Sequence, residues 1–525
     1  MEQPGEQRGG SAEQPGEPAS TGGAGGTPAE QGTGAPPGSA TGATGPGTGA
    51  TAVPGAGATA GQAAGATAGE AAGTLATDAS RVQAVLARQD RIPVWSLPVI
   101  YLVIIGVGYF FTFFDITDIG FAMPAISPQF HLSSGEATFV ALAIGLIGYA
   151  VGSRGNGGLS ARYGRFKILL LTIGITALGS FLDATATNVA TLSLWRFITG
   201  IGVGADLNLV STYIGELAPA AKRGRISTLT FLVGIIGQAI TPFVALALVP
   251  NYSFGWRILF VIGGVIATIG FAARFELPES PRWLALHGRV DEAEAIVSRM
   301  EDRARAKGVT LPEPREEPIS LERHAVPFRS LLADSYARRL AILVPMWFFW
   351  YIGNYGFLGD AATLLSTHGH AIGSSILYLG IGAIGYPVGA IIMAYLADRV
   401  ERRLLIFAGT VIWLVGMILI GTLASDAVLI AGSFLASLAL GLYLQVAYTY
   451  TAELFPTRAR ASGFSLSDGL GHGGGAVGAL LLPTVVAGLS FFTGFVGIGI
   501  TGAIAGVIAL FGPNSSGRPL ERISR

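Results

Sequence analysis

Tyr213-Ile-Gly-Glu216-Leu-Ala-Pro219-Ala-Ala-Lys-Arg223 recurs 237 residues later as Tyr450-Thr-Ala-Glu453-Leu-Phe-Pro456-Thr-Arg-Ala-Arg460. The same offset carries Gly148-Tyr-Ala-Val-Gly152 onto Gly385-Tyr-Pro-Val-Gly389, and Leu159, Arg162 and Arg165 onto Leu396, Arg399 and Arg402. Two distant blocks that share one offset mean a duplicated unit. Both blocks lie at the ends of apolar helical stretches.

Composition says what kind of unit is duplicated. Half of the 525 residues are apolar and only 13% are charged. With a mean hydropathy of +0.55, the chain would aggregate as a water-soluble protein. The formal net charge is zero, so no global field favours nucleic acid or an acidic partner. With no cysteine, disulfides and thiolate metal sites are excluded.

Residues 1–78 are almost wholly Gly, Ala, Thr, Pro, Gln and Glu. They hold too little apolar surface to offset chain entropy and are expected to form a disordered tail. The tail lacks the basic start and short apolar run of a cleaved signal peptide, so the first spanning helix is expected to act as the insertion signal. Residues 79–94 are expected to hold a short surface helix with Val82, Val85 and Leu86 on one face. From Ser96 onward twelve apolar runs approach the ~20 residues a bilayer crossing needs. They are 97–121, 137–156, 168–185, 192–213, 227–249, 256–275, 340–365, 373–394, 404–423, 428–450, 463–486 and 490–512. A charged, proline-containing interruption, 276–339, separates two sets of six, 95–275 and 340–512, with a short tail at 513–525. The fold expected is an all-α membrane protein of two pseudo-symmetric six-helix bundles. Duplicated halves in a membrane imply alternating access around a central site, which points to a transporter.

Charge placement sets the orientation. The connections after runs two, four, eight and ten hold Arg162, Arg165, Lys167, Lys222, Arg223, Arg225, Arg399, Arg402, Arg403, Arg458 and Arg460, whereas 122–136 and 366–372 hold no Lys or Arg. By the positive-inside rule both termini, the tail and the central loop are expected in the cytoplasm, with the chain in the cell membrane.

These features resemble the major facilitator superfamily over about residues 95 to 512. Gly157-Gly-Leu-Ser-Ala161-Arg162-Tyr-Gly164-Arg165 is similar to that superfamily's signature between helices two and three, and Ala394-Tyr-Leu-Ala-Asp398-Arg399-Val-Glu-Arg402-Arg403 to its echo between helices eight and nine. Ala161 stands where the family usually has Asp, and Glu401 where it usually has Gly. The resemblance implies a gate clamp at Arg162, Arg165, Asp398 and Arg399 on the cytoplasmic side. Arg196-Phe-Ile-Thr-Gly200-Ile-Gly202-Val-Gly204 resembles the fourth-helix motif with an intramembrane Arg. Pro278-Glu279-Ser280-Pro281-Arg282-Trp283-Leu284 resembles a signature of sugar porters and of related organic-ion and aromatic-acid carriers, where it would cap and dock a surface helix. Within the superfamily, Asp115-Ile-Thr-Asp118 and Trp350-Tyr-Ile-Gly-Asn354-Tyr355-Gly356-Phe357 look more like the aromatic-acid, niacin and synaptic-vesicle-protein-like carriers.

A charge held centrally in a spanning helix costs at least ~2.5 kcal/mol and so marks a functional candidate. At 1.5 Å per residue, Asp115 and Asp118 in run one lie about 9 to 13 Å past its centre, and Arg196 in run four about 10 Å to the same side. Asp115, Asp118 and Arg196 are therefore the proton-coupling candidates. A carboxylate and guanidinium that separate during the cycle would bind and release a proton, while a static ion pair between helices one and four is the alternative. Asp118 lies nearer the surface, where solvation of the outer mouth is its other role. Asp206, Asn208, Gln238, Asn354, Tyr355 and Gln445 lie near mid-membrane and are the substrate-binding candidates, Asn208 matching Gln445 at the repeat offset. Polar contact between packed helices is the alternative for each. Asp360, Asp468 and His472 are further candidates. Glu216 with Arg223, and Glu453 with Arg460, are assigned to gate ion pairs.

No Walker sequence, Ser/His/Asp set or metal-ligand constellation occurs, and His368-Gly-His370 lacks acidic or cysteine partners. Neither an enzyme nor a cofactor is expected. The function expected is proton-coupled uptake of a small organic acid or related metabolite by a monomeric carrier. Sugar:proton symport, drug:proton antiport and a non-transporting sensor are the alternatives.

Overall fold

The computed structural model describes residues 79–219, 222–314, 331–332, 334–396, 399–455 and 457–515. The expected tail 1–78, residues 315–330, Asp398 and residues 516–525 lie outside the described residues, as do the side chains of Arg223 and Arg460.

Among the described residues twelve helices are long and apolar enough to cross a membrane. In chain order, spans one to six are Val99–Gln129, Gly135–Tyr163, Arg165–Ala184, Val189–Leu217, Arg225–Leu248 and Gly255–Arg274. Spans seven to twelve are Tyr336–Thr367, Ile372–Leu396, Arg402–Thr422, Asp426–Glu453, Ser462–Gly488 and Phe491–Leu510. Several run beyond the apolar stretches that announce them. Span one continues through Pro124 to Gln129, since neighbouring helices can re-satisfy the carbonyl a proline leaves free. Spans two and three are separated by Gly164 alone, whose φ of +100° closes one helix and opens the next. A β-carbon there would strike the Glu279 carboxylate.

Local chemistry repeats with the sequence. Asn188 caps span four through Thr191 N, and its repeat equivalent Ser425 caps span ten through Val428 N. Spans two and four close on Gly148 and Gly152, where an added Cβ would lie 2.3 Å from Phe197 O and 2.0 Å from Ile201 O. At the same offset, Gly385 and Gly389 meet Phe434 O and Leu438 O at 2.4 and 2.3 Å. Without a hydrophobic force between helices in lipid, such backbone contact holds the pair. In the first half span two packs on four, three on four and six, and one on five and six, and the second half repeats the set as eight on ten, nine on ten and twelve, and seven on eleven and twelve. The halves meet where span one touches seven, five touches eight and two touches eleven. Leu178, Ile269, Ile391, Leu480 and Ile500 stay exposed on the outside, the surface that acyl chains cover.

On the face that carries the arginine-rich connections, here the basic face, short helices follow span six at Pro281–Leu286 and Val290–Ala306. Ser280 caps the first, with Pro281 in its opening turn. Helix 79–90 lies on the second, its Val82, Val85 and Leu86 buried. Arg88 Nη2 and Arg91 Nη2 reach Glu301 at 2.9 and 2.8 Å. Burial pushes the Glu301 carboxyl up, but the hydrogen bonds from Arg88 and Arg91 outweigh it and hold the group below its usual range.

Candidate functional site

At the basic face the repeat produces a matching ion pair in each half. Arg165 opens span three and binds Glu216 at the end of span four, Nη2 to Oε1 at 2.8 Å. Arg402 opens span nine and binds Glu453 at the end of span ten, Nε to Oε2 at 2.7 Å. Each pair braces two helices of its own half. In each half packing thus brings to the glutamate an arginine 51 residues away in sequence, while the expected partners Arg223 and Arg460 have side chains outside the described residues. Glu279 accepts from the backbone N–H of Arg165 at 2.9 Å and so sits at the positive end of span three. Trp283 Nε1 donates to Ala161 O at 2.8 Å, which docks the heptad on the connection between spans two and three. Arg162 and Arg399 are exposed and lie over the rings of Tyr163 and Tyr395, and among the described residues no hydrogen bond or ion pair ties either to the opposite half.

Toward the other face Arg196 is enclosed by three carboxylates. Its Nη1 lies 3.5 Å from Asp115, 3.9 Å from Asp118 and 3.4 Å from Asp183. Ser180 donates to Asp115 at 3.1 Å and Thr199 to Asp183 at 3.0 Å. Asp118 is wholly buried, and neither of its oxygens has a hydrogen-bond partner among the described residues. Its expected solvation at an outer mouth is corrected by the further run of span one to Gln129. Three carboxylates around one guanidinium make a dry, acid-rich cluster of spans one, three and four.

Asp206 occupies a different setting. Arg274 at the end of span six binds it with both terminal nitrogens, Nη2 to Oδ2 at 2.9 Å, and Thr172 donates to Oδ1 at 2.8 Å. Both partners of the pair are buried, and Asp206 does not line the cavity between the halves. Its position near mid-membrane therefore reflects a tie between spans three, four and six.

That cavity measures about 90 Å³. Tyr109, Phe231, Tyr448 and Phe464 supply rings to its wall, while Asn208, Ser211, Gln445 and Thr449 supply polar atoms. Asn208 donates to Ser153 at 2.7 Å, but neither amide atom of Gln445 has a hydrogen-bond partner among the described residues. Gln238 lines a smaller void of about 20 Å³ with Tyr386 and Ser437. Asn354 is buried with its Oδ1 unpartnered, and the Tyr355 ring lies 5.6 Å from His472.

The family model for sugar (and other) transporters matches residues 100–525. The chain belongs to this family. The transporter is 29% identical to the niacin transporter NiaP of Acinetobacter baylyi over 447 residues, 84% of this chain and 99% of that one. It is 30% identical to the arabinose-proton symporter of Bacillus subtilis over 378 residues, 69% of this chain and 80% of that one. A solved structure of the xylose transporter XylE from E. coli, in a partially occluded inward-open conformation, shares the fold. Its TM-score is 0.64 at 19% identity, over 80% of this chain and 98% of that one. The protein is thus a multi-pass membrane transporter of the major facilitator superfamily, and not an enzyme.

Above the cavity the transporter carries a second polar cluster, at Asp468 and His472 of span eleven. Tyr149 of span two donates to Asp468 Oδ2 at 3.1 Å, and Tyr351 of span seven to Oδ1 at 2.8 Å. His472 stacks on Tyr149 with ring centres 4.0 Å apart. Asp183 and Arg274 escape a sequence reading because each falls at the end of its apolar run and so passes for a flank. The fact that would have found them is that each faces an opposite charge at its own depth, Arg196 and Asp206.

Proposed function

We propose that this transporter takes up a small organic acid or related metabolite together with protons, across the cell membrane, as a monomer with its basic face and both termini in the cytoplasm. The observation that carries the reading is the cavity between the halves, which has aromatic walls, amide and hydroxyl donors and no carboxylate among its lining residues. A planar ring can pack between those walls while its carboxylate takes the donors, free of like-charge repulsion. The unpartnered Gln445 amide supports this, since a buried amide left unbonded costs about 1–3 kcal/mol. The niacin transporter among the relatives points the same way. The arabinose-proton symporter favours a second reading, sugar:proton symport, because the same amides can bind hydroxyls.

Substrate contact is assigned to Asn208 and Gln445, with Gln238, Asn354 and Tyr355 meeting it as the cavity changes sides. Asp115 and Arg196 form the proton-coupling pair, with Asp118 and Asp183 sharing the guanidinium. The Arg165–Glu216 and Arg402–Glu453 pairs brace the gate ends of the helices, so that each half moves as a unit.

The test is substrate-triggered proton movement in proteoliposomes, with aromatic acids, aliphatic acids, sugars and cationic drugs in parallel. External alkalinisation with acids is expected, and its loss in Asp115→Asn. A response to sugars alone overturns the organic-acid reading, and full proton-coupled uptake by Asp115→Asn overturns the coupling assignment.

A further inference from the structure

We propose that Asp468 is a second proton-binding site of the transporter, and that its protonation loosens the hydrogen bond by which Tyr149 ties span two to span eleven. The inference rests on the proton-coupled reading above.

Four observations carry it. Tyr149 belongs to the first half and Asp468 to the second, so their bond crosses the seam that must part when the transporter changes sides. Tyr149 and Tyr448 also line the cavity, and Asp468 lies one helical turn beyond its Phe464 wall, which gives a proton a short route.

Among the described residues Asp468 also lacks a dedicated cation. The groups that face it are Tyr149 from span two, Tyr351 and Tyr355 from span seven, Tyr448 from span ten and His472 on its own helix. The His472 Nδ1 is 2.8 Å from the Asp468 backbone carbonyl and 3.6 Å from its Oδ2, so its proton serves the backbone. Glu216, by contrast, has Arg165, and Asp206 has Arg274.

The repeat supplies a control. The positions equivalent to Asp468 and His472 in span five are Phe231 and Ile235, both buried, so the fold does not require a polar pair there.

The chemistry then gives the direction. As a carboxylate, Asp468 accepts two charge-assisted hydrogen bonds, and as an acid it keeps one carbonyl acceptor and becomes a donor. A neutral bond is roughly half as strong as a charge-assisted one. Both bonds weaken on protonation, and of the two the one from Tyr149 crosses between the halves, since Tyr351 and Asp468 belong to the same half.

The absence of native cysteine permits a direct test on the full chain. Spin labels are placed at Gly135→Cys, where an added side chain meets open space, and at Thr367→Cys at the end of span seven. The distance between them is measured in nanodiscs at neutral and acidic pH, without substrate. The labelled parent is expected to shift to longer distances in acid. Asp468→Asn is expected to show the acid distribution at neutral pH, with the long-distance fraction up about tenfold, and no further response. Tyr149→Phe, which keeps the carboxyl and removes its donor, should do the same and decides the matter if Asp468→Asn does not fold. A parent that responds to pH together with variants that respond equally overturns this inference and leaves the proton-coupled reading intact. A parent with no response also overturns this inference, and the proteoliposome assay then decides the proton-coupled reading separately.

Discussion

Replacing Asp206 with alanine separates the two roles open to a mid-membrane carboxylate, substrate contact and structural tie. Arg274 is 1% exposed and directs Nη1 and Nη2 at the two Asp206 oxygens, with one further bond to Leu169 O at 2.7 Å. Removing the carboxylate strands a guanidinium that cannot reach water. Breaking a buried pair from one side costs about 3–5 kcal/mol, because the surviving charge has no compensation. Thermal unfolding of the purified transporter, followed by intrinsic fluorescence, is therefore expected to fall by many degrees in Asp206→Ala. Asp206→Leu combined with Arg274→Met should recover parental stability, since an apolar pair of similar volume is neutral or better. Substrate affinity in the double variant should match the parent. The reasoning is refuted if Asp206→Ala unfolds with the parent while its substrate affinity collapses.

Gln445→Ala and Asn208→Ala should each weaken substrate binding about tenfold without altering thermal unfolding, measured by ligand-induced fluorescence change. Gly152→Val should give no folded protein, because its Cβ would overlap Ile201 O, whereas Gly155→Ala, which meets open space, should be silent by size-exclusion profile. Docking of helix 79–90 should weaken in acid. The folded-state pKa of Glu301 is depressed, so its contribution is complete above the unfolded value near 4.5 and is lost as pH falls through the lower folded value. Hydrogen exchange in residues 79–90 should accelerate over that window, and Glu301→Gln should accelerate it at neutral pH and flatten the response.

How much of this was legible beforehand depends on the force that fixes each feature. The number and order of the spans follow from apolar length, which the sequence carries directly. The ends do not, because helices continue past the apolar stretch wherever a cap or an ion pair satisfies them, as at Asn188, Ser425 and Arg165. Pairing was least legible. Glu216 is met by Arg165, 51 residues earlier, which Gly164 sets at the start of span three, a contact that spacing along the chain does not announce. Tyr149 and Asp468 lie 319 residues apart, and nothing in either segment names the other. The depth match of Asp115 with Arg196 could be read from residue counting, but Asp183 and Arg274 were hidden by their places at helix ends.

The duplication also sorts the buried charges. Packing glycines, helix caps and the basic-face ion pairs recur in both halves, so they belong to the scaffold. The acidic cluster, the Asp206–Arg274 pair and Asp468 do not recur. Their equivalents include Ser433 for Arg196, Tyr443 and Phe511 for Asp206 and Arg274, and Phe231 for Asp468. Asymmetry alone does not make a site. Tyr443 stacks on Trp350 at 3.6 Å, so aromatic packing fills in one half the position that an ion pair fills in the other. What separates the cases is compensation. Asp206 has a guanidinium to itself, and the pair is neutral in every conformation that keeps spans four and six together. Asp118 shares one guanidinium with two other acids, and among the described residues Asp468 faces phenols and a histidine turned to the backbone. A carboxylate without its own cation in a dry interior is held by the fold only through exchange with a proton, a ligand or water. Both such groups stand where helices of a half, or the halves themselves, must slide for a substrate to pass.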